Sequence, residues 1–280
     1  ESDNDSKSIS ILKKIIQPYI LRRHKSDVLK DLPKKTEQVI DIALSDEEMA
    51  FYENLRENAI QNINKEIQSD DPNQHAGKRR MHILSEITKL RQACCHPMII
   101  EPQLEMTSSK LEKLDQMLEE LLENNHKVLI FSQFVSYLQH VQIRLSQKNI
   151  DYHYLDGSTP QKQREQSVEA FQKGEKSVFL LSLKAGGVGL NLTEADYVII
   201  LDPWWNPAVE NQAADRAHRI GQLRPVTLYR FICKNTIEEK IIALHQKKKD
   251  LSDNLLTGTN KGGSLSEKEL LNLIQSDKNI

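Results

Sequence analysis

Two arginines and a glutamine are the residues of this chain best suited to chemistry on an anion. Gln212, Arg216 and Arg219 lie in the run NQAADRAHRIGQ, residues 211 to 222, at spacings of four and three. On a helix those spacings come close to one face, so the planar guanidinium donors would converge on a group such as a triphosphate. A second candidate lies upstream in KAGGVGLNL, residues 184 to 192. Its glycines, Gly186, Gly187 and Gly189, present backbone amides unobstructed by side chains, which suits close approach to phosphate or ribose. The run is not a dinucleotide fingerprint, because Gly187-x-Gly189 would require a glycine at 192, where the chain has leucine.

Neither candidate comes with a phosphate cradle of its own. A nucleoside triphosphatase of the phosphate-loop type needs Gly-x-x-x-x-Gly-Lys-Ser/Thr, and a strand-ending acidic pair for magnesium and water. The sole Gly-Lys dipeptide is Gly77-Lys78, and Pro72 stands where the first glycine should be. Asp202 ends the apolar run YVIIL, but Pro203 follows it in place of a second carboxylate.

The elements that must position these residues follow from periodicity. Short β-branched runs alternate with helical patterns, the signature of βαβ units over a parallel sheet, so the fold class is α/β. Strands are expected at 127–132, 152–155, 177–182, 197–201 and 225–231, with helices at 134–148, 160–173, 207–219 and 236–252. Pro160 after Thr159 marks a helix start, and Thr236 with Glu239 reads as a capping box. The segment before this core is different. Helices are expected near 8–21, 45–68 and 79–94, the second opened by a Ser45/Glu48 capping box, with a weak strand signal at 37–43. SDDPNQHAGK, 69 to 78, reads as an exposed loop. Helix 109–124 then enters the α/β lobe with Leu111, Leu114, Leu118 and Leu121 as its apolar stripe. TGTNKGGS, 257 to 264, has linker composition, and a short amphipathic helix from Glu267 to Ile274 follows it. That helix is expected to dock either on the core or on another lobe.

The run SVFLLSLKAGGVGLNLTEADYVIILDPWWNP (177 to 207) and the arginine block together resemble motifs five and six of the Swi/Snf-type DNA translocases, in helicase superfamily two. KVLIFSQF (127 to 134) is similar to motif four and YHYLDGSTP (152 to 160) to the segment after it. LRRHKSDVLKDLPKK, LRQACCHP, TIEEKI and LSEKELLNLI resemble connecting and closing segments of that family. The resemblance implies a RecA-like parallel sheet flanked by helices, forming the second helicase lobe at 108–256. A connecting segment with a helical protrusion would precede it at 1–107, and a linker with a C-terminal brace helix would follow at 257–280. It further implies that Arg216 and Arg219 are arginine fingers organised with Gln212, and that Gly186, Gly187, Gly189 and Asn191 couple nucleotide state to DNA grip. Asp202 is grouped with these as a residue able to orient the arginine helix. Ser132, Gln133, Gly157, Ser158, Ser182 and Lys184 would touch the DNA backbone, although ordinary turn and cap chemistry explains the serines and glycine equally well. The family often has Ser-Thr-Arg before Ala-Gly-Gly; here Ser182-Leu183-Lys184 loses one hydroxyl, which leaves Ser182 and Lys184 for phosphate. ATP and Mg²⁺ would be bound mainly by a first lobe, expected to lie before Glu1, and this fragment alone is expected to be inactive.

Composition sets limits on partners. Hydrophobic residues at 38% and charged residues at 28% fit a soluble α/β protein, and no apolar run approaches the roughly 20 residues that span a bilayer. A formal net charge of -2 argues against a generally basic coat, so contact with double-stranded DNA must be local. Local basic clusters occur at Arg22, Arg23 and Lys25; at Lys34 and Lys35; at Lys78, Arg79 and Arg80; and at 247–249. Taken alone, each is more readily a solvated face than a nucleic-acid contact. The expected location is the cytoplasm (nucleoid) in a prokaryote or the nucleus in a eukaryote. Three cysteines make a disulfide framework improbable. Cys94-Cys95-His96 lacks the second pair that zinc needs, so His96-Pro97 is read as a helix end. Trp204 and Trp205 are read as packing residues in preference to a base-stacking platform. Two competing readings are a catalytically inactive DNA- or protein-binding module of the same fold and, less well supported, an unrelated α/β transferase.

Overall fold

The computed structural model describes residues 32–69, 76–186, 189–244 and 266–275. Among them, six strands form one sheet in which every pairing is parallel: β1 Lys35–Ile42, β2 Val128–Ser132, β3 Tyr152–Leu155, β4 Val178–Ser182, β5 Tyr197–Ile200 and β6 Val226–Cys233, in the order β1-β6-β5-β2-β4-β3. VLIFS and VFLLS, the sequences of β2 and β4, are buried at all five positions. Continuous apolar runs are what central parallel strands require, because helices cover both faces. β1 is one of the two edge strands, and its largely exposed KTEQVIDI explains why the strand signal there is weak.

Helices α1 Asp46–Ser69, α2 Ala76–Cys95, α3 Ser109–Glu123, α4 Val135–Gln147, α5 Gln161–Gln172, α6 Leu183–Gly186, α7 Pro207–Ala214, α8 (237–244 of the described residues) and α9 Glu267–Ile274, with a 3-10 turn at Pro97–Ile99, complete the described elements. One face of the sheet is covered by α3 and α4. Leu114, Leu118 and Leu121 of α3 pack there with Tyr137, Leu138 and Val141 of α4, while Leu111 is only partly buried. Phe171 of α5, Leu183 of α6 and Ala213 and Ala214 of α7 cover the other face.

A third apolar cluster lies outside these layers. Tyr52, Ile63, Ile83, Ile87 and Leu90 of the α1–α2 hairpin meet Ile237 and Ile241 of α8 and Leu270, Leu273 and Ile274 of α9. The terminal helix therefore docks within this chain. Its Ser266/Glu269 capping box fixes its start, and Arg79 pairs with Glu267 at 3.4 Å. Glu48 joins hairpin to lobe. Its carboxylate accepts from Ser45 N at 3.0 Å, as the capping box requires, and also from Ser109 N at 3.0 Å at the start of α3. The second expected box is not made. Thr236 instead donates to the Cys233 carbonyl at 2.8 Å, and Glu239 accepts from Asn235 N. Among the described residues no helix is long and apolar enough to cross a membrane. The helix expected at 8–21, the loop core at 70–75, the linker, and the clusters at 22–25 and 247–249 lie outside the described residues.

Candidate nucleotide and nucleic-acid interface

Because every strand runs the same way, the turns that follow them emerge at one edge of the sheet, where open α/β sheets bind ligands. Ser132, Gln133, Gly157, Ser158, Ser182 and Lys184 all lie there, and Ser132 and Ser182 are direct register partners. They differ in availability. Ser132 is fully buried and its hydroxyl donates to Asp202, while Gln133 N donates to the other Asp202 oxygen at 3.2 Å. The Gln133 Nε2 is buried with no hydrogen-bond partner among the described residues. Ser182 is buried and its Oγ accepts from Ala185 N at 3.2 Å, which caps α6, whereas Lys184 is exposed. Gly157 has open space where a Cβ would project. Ser158 gives both its N–H (2.8 Å) and its hydroxyl (2.6 Å) to the Asp156 carboxylate. The Ser158 hydrogen bond, with help from Tyr154 and Thr159, holds Asp156 down at about 2, so this loop is organised around a charged carboxylate.

The arginine segment is not one helix. α7 ends at Ala214, and the chain continues as turns in which Arg216 N and Ala217 N reach carbonyls three residues back. Gln212 is thus exposed on α7, while Arg216 and Arg219 lie beyond the helix, partly buried on a turn. The turn is fastened to the chain leaving the glycine-rich segment. Leu192 N donates to the Arg216 carbonyl at 3.0 Å, and Arg219 Nη1 donates to the Leu190 carbonyl at 3.2 Å. Burial, then the nearby charge of Arg219, lowers the Arg216 pKa, so the two guanidiniums share one electrostatic site. Gly189 adopts φ +43, a conformation that favours glycine, and Asn191 is exposed beside it. Gly186 ends α6; Gly187 lies outside the described residues.

Asp202 does not touch the arginine turn. Glu210 takes that role on α7: it accepts from Trp204 N at 2.7 Å and from Arg230 Nε at 2.8 Å. Asp202 instead sits between β5 and β2, fully buried, where burial raises its pKa to about 6 against the pull of Arg91, Ser132 and Lys110. Both its oxygens are engaged, and among the described residues no group of three or more His, Cys, Asp or Glu side chains could hold a metal.

Several residues of this edge gave no functional signal in the sequence. Arg164 of α5, 9% exposed, donates to the Ala185 carbonyl at 3.0 Å and the Asp156 carbonyl at 3.2 Å, tying two edge loops together. Beside it, Val168, Leu190 and Asn191 help line a groove of about 370 Å³. Arg91 of α2 is 2% exposed. Its guanidinium carbon lies 5.4 Å from the Phe134 ring centroid and 5.3 Å from that of Trp205, and the group donates to the Pro203 carbonyl. Lys110 and Glu238, both fully buried, pair at 2.6 Å, and Lys110 also donates to the Leu201 carbonyl at 2.9 Å. An arginine or lysine in a helical run reads as surface, so only tertiary placement reveals them. Trp204 packs against the sheet core and Trp205 against the hairpin cluster. Cys94, Cys95 and Cys233 are buried thiols, and α2 ends just before His96, whose Nδ1 accepts from Met98 N at 3.3 Å.

An all-parallel six-stranded sheet with its loops gathered at one edge, and a paired-arginine turn fastened to a glycine-rich segment, define a RecA-like lobe of the helicase type. Residues 2–99 match the SNF2-related domain and residues 109–221 the helicase conserved C-terminal domain. The chain belongs to the SNF2-related helicase family. It is 40% identical over 277 residues to an uncharacterized ATP-dependent helicase of Mycoplasma pneumoniae, covering 98% of this chain and 26% of that protein. The chain thus spans about a quarter of that relative's length. Among solved structures, the Sulfolobus solfataricus SWI2/SNF2 ATPase core in complex with dsDNA is 34% identical with a TM-score of 0.67, over 88% of this chain and 51% of that one. The C-terminal domain of the S. solfataricus SWI2/SNF2 ATPase is 29% identical with a TM-score of 0.66, over 87% of this chain and 95% of that one.

Proposed function

We propose that this chain is the second motor lobe of an ATP-dependent double-stranded DNA translocase, supplying arginine fingers and part of the DNA grip. The observation that carries the reading is the fastening of the Arg216/Arg219 turn, through Leu190 and Leu192, to the glycine-rich segment that begins at the loop-bearing edge. A shift of the arginines towards a phosphate would pull on the same chain that leads to the DNA-facing loops. ATP and Mg²⁺ are held mainly by a phosphate-loop lobe outside this sequence. Closure of that lobe brings Arg216 and Arg219 to the γ-phosphoryl oxygens, whose spreading charge they stabilise in the transition state. Gly157, Lys184 and Gln133 hold the DNA backbone, which gives affinity without sequence reading and a steep dependence on salt.

The test is duplex-stimulated ATP hydrolysis by the longer protein that contains this chain. Arg219→Ala is expected to lower turnover by about 10³ to 10⁵ while ATP binding persists. Turnover indifferent to Arg219, or absent from the parent, would sink the motor-lobe reading in favour of a binding module.

A further inference from the structure

Arg91 belongs to the helical hairpin, outside the sheet, yet its side chain ends inside the loop-bearing edge. It spans two loops that leave neighbouring strands. From the β2–α4 loop it takes the Phe134 ring; from the β5–α7 loop it takes the Trp205 ring and the Pro203 carbonyl. The two loops are already stitched below it. Asp202 accepts from Ser132 Oγ and Gln133 N, and Ser132 Oγ in turn accepts from Phe134 N at 3.0 Å. A guanidinium that faces a ring from each loop and also bonds a carbonyl joins the two loops through one side chain, a combination that a lysine ammonium matches poorly.

The arginine turn has independent anchors. Asn206 caps α7, Glu210 pairs with Arg230, and Ala213, Ala214 and Ala217 are buried in the sheet core. Ser132 is held at the end of β2 opposite Ser182, whereas Gln133 beyond it is tied, among the described residues, by its N–H to Asp202, next to Phe134 and Arg91. Loss of the clasp should therefore be felt first at the DNA loop.

We infer that Arg91 is a positioning residue through which the α1–α2 hairpin sets the Gln133 loop at the edge proposed to face DNA, so that the hairpin, which also carries α9, controls how tightly the lobe grips duplex DNA. This rests on the motor-lobe reading. Whatever displaces the hairpin, α9 included, would act at the same loop.

The experiment uses the longer parent protein and a duplex without sequence preference, with ATP turnover followed against duplex and against ATP concentration. Arg91→Met is expected to raise the half-saturating duplex concentration about tenfold, the worth of one charge-assisted hydrogen bond, and Arg91→Lys about threefold. The KM for ATP should stay within about twofold of the parent in both, since the arginine anchors are untouched. Should Arg91→Met fail to fold, Trp205→Leu removes one of the two rings that Arg91 meets and should shift the duplex dependence in the same direction, by less. A folded Arg91→Met protein with the parent's duplex dependence, or one in which the ATP and duplex terms worsen equally, would overturn the positioning role. A parent with no duplex-stimulated turnover would defeat the motor-lobe reading and this inference with it; a stimulated parent with indifferent Arg91 variants would defeat the inference alone.

Discussion

Strand β5 is bracketed by two aspartates, and the contrast between them separates the loop-bearing edge proposed as the site from the opposite edge of the sheet. Asp196, before the strand, accepts from Lys127 N at 3.0 Å, pairs with His126 at 2.8 Å and lies 3.3 Å from Arg224. His126 and Arg224 are 32% and 42% exposed, so water shares the load. Asp202, after the strand, is fully buried and faces Ser132, Gln133, Arg91 and Lys110. Its carboxyl is raised to about 6, the opposite of what a well-compensated carboxylate shows. One end of the strand is closed with ordinary ion pairs. The other holds a charge at a cost, and that is the end where the loops expected to meet DNA emerge.

The largest stability effect should come from the buried pair beside Asp202. Lys110→Met leaves Glu238 unpaired in a dry site, and chemical denaturation should show a loss of about 3–5 kcal/mol. A loss below 1 kcal/mol would mean that this edge is as wet as the other.

A smaller effect depends on pH, and two buried groups oppose each other in it. Asp202 binds its proton more tightly folded than unfolded, so its contribution is full below its ordinary value of 3.8 and is lost as pH rises through about 6. His96 is lowered to about 4 by burial and by the stacked His140, 4.3 Å between centroids. Its contribution is full above 6.5 and is lost as pH falls through about 4. Between pH 4 and 6 the two largely cancel. Relative to the parent, Asp202→Asn should make stability climb with pH across that window and His96→Asn should make it decline, each by up to about 3 kcal/mol. Parallel curves for both variants would refute the assignment. Least of all should come from Asp196→Asn, about 1 kcal/mol, because its partners are part-exposed. A penalty equal to that of Lys110→Met would erase the distinction between the edges.

How much of this was legible in the sequence follows the same divide. VLIFS, VFLLS and YVII announce themselves because central parallel strands bury both faces, and their bounds match the expected strands within a residue or two. β1 barely registered, since an edge strand with one polar side carries half the signal. The arginine segment misled: QAADRAHR has the alanines and arginines of a good helix, but the Leu192 to Arg216 backbone bond belongs to tertiary structure and draws the chain into turns. Arg91, Lys110 and Arg164 were invisible as site residues because their partners are carbonyls and rings far away in sequence. The docking of α9 was left open by an amphipathic pattern that specifies an apolar face and not its partner.

The most direct test of the account is to ask which edge meets DNA. The three cysteines of this chain are buried, so in a parent protein whose other cysteines are replaced a single introduced thiol can carry a photo-crosslinker. Ser158→Cys places it on the loop after β3, and Glu194→Cys places it before β5, beside the basic Lys127 and Arg224. The account predicts crosslinks to duplex from position 158 that fade with salt, and few or none from position 194. Efficient crosslinking from 194 with none from 158 would contradict it.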